Sequence, residues 1–298
     1  MTGTVFDIGY QHYDGPRGGI GRARTAVFKD GLRIALGLGR GPRAKLLPWF
    51  FIGTLCLIAL VMAMVAGAAD RLGGEGTAEQ LSLPTHSDFY GIASILLYVF
   101  AALVAPELLC RDRRDGVRQL YLVRPLTGSD YVGARWAACL LVMVGAAWLP
   151  QCLLFGGLVM GDPKPAEYLA AHWLDVPRFL LSGLAMAAYV TALALLVASF
   201  TTRRAYAAVF LVGLFVISTP FTVGMAEELE GATGQWVSMF NLTNIPVHVN
   251  DVVFGVTSEI TEDAPASKLP ATTRVAWYLA WTVGATAALW ARYRRASA

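Results

Sequence analysis

Long apolar runs dominate the chain and predict membrane-spanning helices. Six stretches of mainly apolar residues are separated by more polar segments, most of them shorter than the stretches themselves. A helix needs about 20 such residues to cross the hydrocarbon layer of a bilayer. The six predicted spans cover about residues 47–69, 88–109, 131–160, 176–200, 205–225 and 273–291. We therefore predict an all-α membrane protein with six transmembrane helices.

Two segments outside the spans have patterns of their own. Residues 20–40 mix apolar side chains with arginine and lysine, which favours an amphipathic helix lying at the membrane surface; a solvated tail helix is the alternative. Residues 226–272 form a long segment before the sixth span, and their apolar part, 236–256, is too short to cross. It predicts one or two short helices that dip into the membrane or pack over the spans. The predicted organisation is a tail with an interfacial helix (1–46), a six-helix domain (47–291) and a C-terminal tail (292–298).

Composition and charge agree with a membrane protein and predict its orientation. Hydrophobic residues make up 56% of the 298 residues and charged residues 15%, against about 25% charged in soluble domains. Nineteen of the 24 lysines and arginines lie before the first span, in the segments after the second, fourth and sixth, or, for Arg135, near the start of the third span. Because these residues accumulate in cytoplasmic loops, both termini are predicted to be cytoplasmic and residues 226–272 extracellular. The net charge of +3 then reflects topology, and nucleic acid is not an expected partner.

Candidate catalytic chemistry is sparse. The sequence contains no GxxxxGK[ST], HExxH or GxSxG motif, which are typical of ATPases, zinc proteases and serine hydrolases. Its four cysteines form no CxxC or Cys/His cluster, so a metal site is not expected. We predict that this chain is not an enzyme and binds no cofactor or metal of its own.

Two features within the spans raise functional questions. Glu107 lies near the end of the second span, and Arg111 follows one helical turn later. We expect an intramembrane ion pair between them, with a transport role for the acid as the alternative. In the fourth span, Gly183, Ala187 and Thr191 form a row of small residues. This row favours close packing within the chain over a dimer contact.

The polar segment RDRRDGVRQLYLVRPLTGSDY (111–131) joins the second and third spans. Val117, Leu120 and Tyr121 would share one face of a short helix. A hairpin that only fixes orientation would explain the arginines, but the apolar face favours docking into a groove of a partner subunit. Ser129 or Asp130 is predicted to cap the third span. The candidate docking residues are Arg111, Arg113, Arg114, Gly116, Val117, Arg118, Leu120, Tyr121, Arg124 and Pro125.

These residues carry a family resemblance. With six spans, a basic amphipathic N-terminal segment and Pro-Glu-Leu at the end of the second span, DRRDGVRQLYLVRPLTGSDYVGARW resembles the permease subunits of ABC-2 type (type V fold) exporters. In that family a glycine, hydrophobic residues, a proline and a tyrosine recur in the helix that couples permease to ATPase. Gly116, Leu120, Tyr121, Leu122, Pro125 and Tyr131 occupy those places here, and Arg135 follows Gly133 where the family usually has a lysine. The Gly- and Arg-rich N-terminal segment is in the style of an actinobacterial chain.

The resemblance implies a function that this chain performs only with partners. It implies export across the plasma membrane, driven by a separate P-loop ATP-binding subunit that holds ATP and Mg, and a homodimer or a heterodimer with a second permease. Spans one, two and five would line the route. The apolar, aromatic spans favour an amphipathic drug, a lipid or a lipid-linked substrate over an ion. A non-transporting membrane scaffold or regulatory anchor is the main alternative.

Overall fold

The protein is built from helices. The computed structural model describes residues 18–39, 41–74, 77–116, 126–229 and 231–295, and these ranges contain no β-strand. The helices are α1 (Ile20–Ala35), α2 (Pro42–Gly73), α3 (Thr77–Gln80), α4 (His86–Arg114), α5 (Gly128–Gly161), α6 (Pro165–His172), α7 (Asp175–Ala198), α8 (Arg204–Glu228), α9 (Ala232–Ser238), α10 (Ile245–Phe254), α11 (Glu259–Glu262) and α12 (Ala271–Arg295). The predicted all-α class is confirmed for the described ranges.

Five of the helices within the described residues are long and apolar enough to cross a membrane. They are α2, α4, α5, α7 and α8, and they overlap the first five predicted spans. Helix α12 has 25 residues, a length that crosses the bilayer at about 1.5 Å per residue. It is not among the five, and Trp277, Trp281 and Trp290 interrupt its apolar run. The sixth span stays a prediction.

The ends of the long helices meet in two groups. At one end, Arg292 of α12 donates a hydrogen bond from Nε to the carbonyl oxygen of Ser199, after α7, over 3.1 Å. At the other end, the Nδ2 of Asn250 in α10 donates to the carbonyl oxygen of Ser87 in the first turn of α4, over 2.7 Å. Helix α1 packs at the first of these, which we call the α1 end; the second is the α10 end. Both extremities of the described chain lie at the α1 end.

Helix α1 is amphipathic, as predicted. It buries Val27, Gly31, Ile34 and Ala35, while its arginines and lysine are exposed. The helix ends at Ala35, earlier than the predicted pattern, which ran to residue 40. The reason is local, because the glycines at 37 and 39 have φ angles of 67° and 77°, a left-handed conformation that glycine adopts readily.

Gly31 allows α1 to approach α5 closely. A Cβ atom at this position would lie 2.8 Å from the Cβ of Ala138. Gly31→Ala is therefore expected to lower the free energy of unfolding by about 1–3 kcal/mol through overpacking. Gly21→Ala is the matched control, because nothing lies within 4 Å of the added atom and alanine favours a helix. Thermal unfolding in detergent measures both, and equal stability of the two variants would contradict the close α1–α5 contact.

Small residues also bring α2 and α5 together. Ala63 and Gly67 lie one turn apart on α2, as do Gly157 and Gly161 on α5. A Cβ on Gly67 would lie 3.0 Å from the Cα of Gly161, and one on Gly157 would lie 2.6 Å from the Cβ of Ala63. Such small-xxx-small rows allow membrane helices to pack with their backbones close together.

The row of small residues in α7 packs inside the chain. Gly183, Ala187 and Thr191 are all buried, and Gly183 faces the side chains of Tyr90 and Trp148. The prediction that this row serves packing within the chain is confirmed.

The apolar segment 236–256 is held against the long helices. It contains the last three residues of α9 and all of α10, so the predicted short helices are confirmed. The hydroxyls of Tyr98 and Tyr189 and the indole N–H of Trp277 donate to the carbonyl oxygens of Thr243, Leu242 and Met239 over 2.6, 2.9 and 2.8 Å. These donors, from α4, α7 and α12, satisfy backbone carbonyls between the short helices, which is how irregular backbone is tolerated when protein covers it.

Burial gives His248, in α10, a pH-dependent effect on stability. Its side chain is 1% exposed, and burial, with a smaller effect of the Arg274 charge, lowers its pKa from 6.5 to about 4. At pH 5 the folded protein keeps this imidazole neutral while the unfolded chain protonates it. Stability that is present above pH 6.5 is therefore lost as the pH falls towards 4, by about 2 kcal/mol between pH 7 and pH 5.

A substitution isolates this contribution. Burial raises the pKa of Asp251, one turn away, which stabilises the folded state at low pH and so acts in the opposite direction. We expect His248→Leu to reduce the loss of unfolding free energy between pH 7 and pH 5 by about 2 kcal/mol relative to the unchanged protein. Chemical unfolding at both pH values measures this difference. Identical pH dependence in the two proteins would contradict a neutral, buried His248.

Candidate functional site

The segment between α4 and α5 carries the predicted docking residues, and the described residues on its two sides lie at the α1 end. Arg111, Arg113, Arg114 and Gly116 are within the described residues. Val117, Arg118, Leu120, Tyr121, Arg124 and Pro125 lie outside them, so the docking helix stays a prediction. The structure describes what holds this segment at its two sides.

A buried ionic cluster links the two sides of the segment to α1. The guanidinium of Arg135 in α5 is completely buried. Its Nη2 atom lies 2.6 Å from Oδ2 of Asp112 in α4 and 2.9 Å from Oδ2 of Asp30 in α1. The hydroxyl of Tyr131 donates to the same Asp112 oxygen over 2.7 Å. We call these four residues, Asp30, Asp112, Tyr131 and Arg135, the Arg135 cluster.

The Arg135 cluster joins three elements through one cation. Asp112 is 5% exposed, and a buried carboxylate is tolerated when a cation and hydrogen-bond donors compensate its charge. One nitrogen of the guanidinium, Nη2, donates to both carboxylates, while Nε and Nη1 have no hydrogen-bond partner among the described residues. The end of α4, the start of α5 and the middle of α1 are therefore held together, with the docking segment between the first two.

A second set of contacts fixes the start of α5. Thr127 caps the helix: the Asp130 N–H donates to Thr127 Oγ1 over 3.2 Å, and the Thr127 N–H donates to Asp130 Oδ2 over 3.1 Å. The cap is thus Thr127 and not Ser129 or Asp130, because Asp130 takes the third helical position of this reciprocal pair. Arg24 of α1 lies 2.7 Å from the other Asp130 oxygen, so α1 contacts the start of α5 twice.

The end of α4 also contacts the bundle on its other side. Arg113 donates to the carbonyl oxygen of Ser199, the same oxygen that Arg292 of α12 contacts. Arg111 and Arg114 instead have side chains that are 45% and 63% exposed. Of the predicted docking arginines, Arg113 therefore has a contact within the bundle, and Arg111 and Arg114 are available to a partner.

Glu107 has an ion-pair partner that was not predicted, and its predicted pair with Arg111 stays a prediction. It forms an ion pair with Arg204, at the start of α8, while the Nε of Arg111 lies 3.7 Å from Asp115. Helix α8 packs against this part of α4, and the guanidinium of its Arg204 therefore contacts Glu107.

An apolar groove lies beside Glu107, where α1, α2, α4 and α8 meet. It has a volume of about 400 Å³. Its lining includes Ile34 of α1, Leu47 and Pro48 of α2, Phe100 and Leu103 of α4, and Ala208 of α8. The long helices that border it correspond to predicted spans one, two and five.

Metal and disulfide chemistry are not indicated by the part of the chain that the structure describes. Within it, no group of three or more histidine, cysteine or acidic side chains is placed to hold a metal ion. The four cysteines are free.

Comparison with known proteins gives a family match. The model of a family described as ABC-2 family transporter protein matches residues 48–298. These residues include α2 from Pro48 onwards, the other long helices, and the Asp112, Tyr131 and Arg135 members of the cluster. No curated protein matches the chain significantly.

Proposed function

The chain belongs to the ABC-2 transporter family, and from this membership we propose that it exports its substrate with energy from ATP hydrolysis in a separate subunit. The family and the apolar helices make it a multi-pass membrane protein and the permease of an ABC transporter. ABC-2 permeases work with an ATP-binding partner. The proposal adds the direction of transport, the plasma membrane, the energy source and the absence of catalysis by this chain.

The observation that carries the proposal is the Arg135 cluster. A permease without its own ATPase needs a mechanical connection from the partner's docking position to the membrane helices. The cluster gives the docking segment such a connection, because Asp112 and Arg135 stand at its two sides and share one guanidinium with Asp30 of α1. Helix α1 continues the connection, since Ile34, one turn beyond Asp30, lines the apolar groove. We propose that displacement of the docking segment shifts α1 and so alters the groove.

The orientation follows from where the basic residues lie in the fold. The α1 end gathers Arg22, Arg24, Lys29, Arg33, Arg111, Arg113, Arg114, Arg203, Arg204 and Arg292, whereas the α10 end has Arg71, Lys164, Arg178, Lys268 and Arg274. Because cytoplasmic segments are rich in lysine and arginine, we propose that the α1 end is cytoplasmic and the α10 end extracellular. Helix α12 is then the sixth span, and α1 lies along the inner surface.

The groove supports the proposed substrate class, and the exposed faces of α2 and α8 support a second permease. An apolar groove suits an amphipathic drug, a lipid or a lipid-linked molecule. In their most apolar stretches, 28% of residues in α2 and 17% in α8 are buried, against 56–67% in α4, α5 and α7. Helices α2 and α8 therefore have apolar faces free for lipid or for another permease subunit, in a homodimer or a heterodimer.

Reconstitution tests the proposal against the scaffold alternative. The chain is co-expressed with a P-loop ATP-binding subunit, purified, and inserted into liposomes. We expect a stable complex, ATP hydrolysis that depends on both subunits, and ATP-dependent movement of a fluorescent amphiphile. Assembly without hydrolysis or movement would favour a scaffold, and failure to assemble would contradict the proposal.

A further inference from the structure

A cavity rimmed by arginines opens at the α1 end, between α4 and α8. It has a volume of about 430 Å³. Arg111 and Arg114 line it from the end of α4, and Arg203 and Arg204 from the start of α8. Among the described residues that line it, Glu107 is the one acidic residue. The two helices thus place four guanidinium groups around a single opening.

The cavity adjoins the apolar groove, and we call the two together the combined space. Pro106, Glu107, Arg204 and Ala205 line both spaces. Beyond them the groove wall is apolar and includes Phe100 and Leu103. The combined space therefore has a cationic opening at one side and an apolar interior at the other.

The opening has an excess of positive charge. Glu107 compensates Arg204, and Asp115 lies 2.9 Å from Arg114 and 3.7 Å from Arg111. Two carboxylates therefore face four arginines. The side chains of Arg111, Arg114 and Arg204 are 45%, 63% and 69% exposed, so they can contact a ligand without unfolding.

These features match one kind of ligand. Guanidinium groups bind phosphate oxygens in pairs, and basic pockets between membrane helices on the cytoplasmic side bind anionic head groups. An anionic phospholipid carries its phosphodiester and its acyl chains on one glycerol, in the same order as the arginine opening and the apolar groove. An uncharged drug would leave the arginines without a counter-charge, and a free phosphate would leave the groove unfilled.

We propose that this combined space binds one anionic phospholipid, with its phosphate among Arg111, Arg114, Arg203 and Arg204 and an acyl chain in the groove. The phosphate competes with Glu107 for Arg204. The inference rests on the proposed function in placing the α1 end at the inner leaflet. It makes an anionic amphiphile the class of molecule admitted to the groove.

Binding of fluorescent phosphatidylglycerol to the purified full chain in nanodiscs of phosphatidylcholine tests the proposal. We expect phosphatidylglycerol to displace the probe and added phosphatidylcholine not to. Arg203→Gln with Arg204→Gln should weaken binding at least about tenfold, since it removes two charge-assisted contacts. Arg22→Gln with Arg33→Gln removes the same charge from exposed positions of α1 and should leave binding unchanged.

A second variant tests the groove, and two outcomes would overturn the proposal. Leu103→Trp fills the apolar groove and should weaken binding of the lipid. Glycerol phosphate, which lacks acyl chains, should compete only weakly with the fluorescent lipid. Equal affinity for phosphatidylcholine, or equal loss in the α1 control, would show that the arginines do not select the head group. Competition by glycerol phosphate as strong as that by the lipid would show an anion site without a lipid. The binding assay needs neither ATP nor the ATP-binding subunit. A failed transport assay would therefore contradict the proposed function without changing the lipid-binding result.

Discussion

Replacing Arg135 with methionine should destabilise the protein by about 3–5 kcal/mol, the cost of breaking a buried ion pair on one side. The substitution keeps a long side chain but leaves the Asp112 carboxylate, 5% exposed, without its cation. Tyr131 alone would still donate to it. Helix α1 would lose its contact through Asp30 as well. Thermal unfolding in detergent measures the loss, and hydrogen exchange should show faster opening of α1 and of the first turns of α5.

Two further variants separate a lost charge pair from a general disturbance. Arg33→Met removes an exposed arginine of α1 and should change stability by less than about 0.5 kcal/mol. Arg135→Met combined with Asp112→Leu replaces both partners with apolar groups and should recover much of the stability, because no buried charge is left unpaired. The double variant should still hydrolyse ATP poorly with its partner, since the link to α1 is absent. Equal stability of Arg135→Met and Arg33→Met would contradict the role of the cluster.

The second large effect is expected at the docking segment. Arg114→Glu with Tyr121→Ala should weaken association with the ATP-binding subunit by about 10- to 100-fold, because charge reversal and loss of an aromatic anchor each cost 1–2 kcal/mol or more at an interface. ATP hydrolysis by the complex should fall accordingly. The change at Arg114 should not lower the unfolding temperature, because its side chain is 63% exposed. Pull-down affinity and the ATPase rate measure the effect.

The chain offers a matched control at the α10 end. Lys164→Glu with Tyr168→Ala makes the same changes in or beside α6, a helix without buried residues. This variant should bind the ATP-binding subunit normally and support normal hydrolysis. Weakening by the α6 variant equal to that by the docking variant would contradict docking at the α1 end.

Helices were more predictable from the sequence than the contacts between them. The apolar runs predicted α2, α4, α5, α7 and α8, because a spanning helix needs a long unbroken run. The tryptophans of α12 weaken that signal, so its status rests on length and on the even number of spans. The pattern 236–256 predicted short helices because it was apolar, contained Pro246 and was too short to cross.

The ionic contacts could not be predicted, because they join distant parts of the chain. Asp30 is 105 residues from Arg135 in the sequence, and Asp112 is 23 residues from it. Both acids have other charged residues beside them in the sequence, a pattern typical of solvent-exposed segments. Glu107 meets Arg204, 97 residues away, although the local spacing favoured Arg111. The family resemblance drew attention to Arg135 as a basic position, but its partners appeared only in the fold. The actinobacterial origin stays a prediction.

The central claim is that the segment between α4 and α5 receives the ATP-binding subunit. A photo-crosslinking amino acid at position 121 in the intact complex tests this most directly, with one at the exposed position 240, near the α10 end, as control. We predict a crosslink to the ATP-binding subunit from position 121, and none from position 240. A crosslink from position 240 alone, or from neither position in a complex that hydrolyses ATP, would contradict the account.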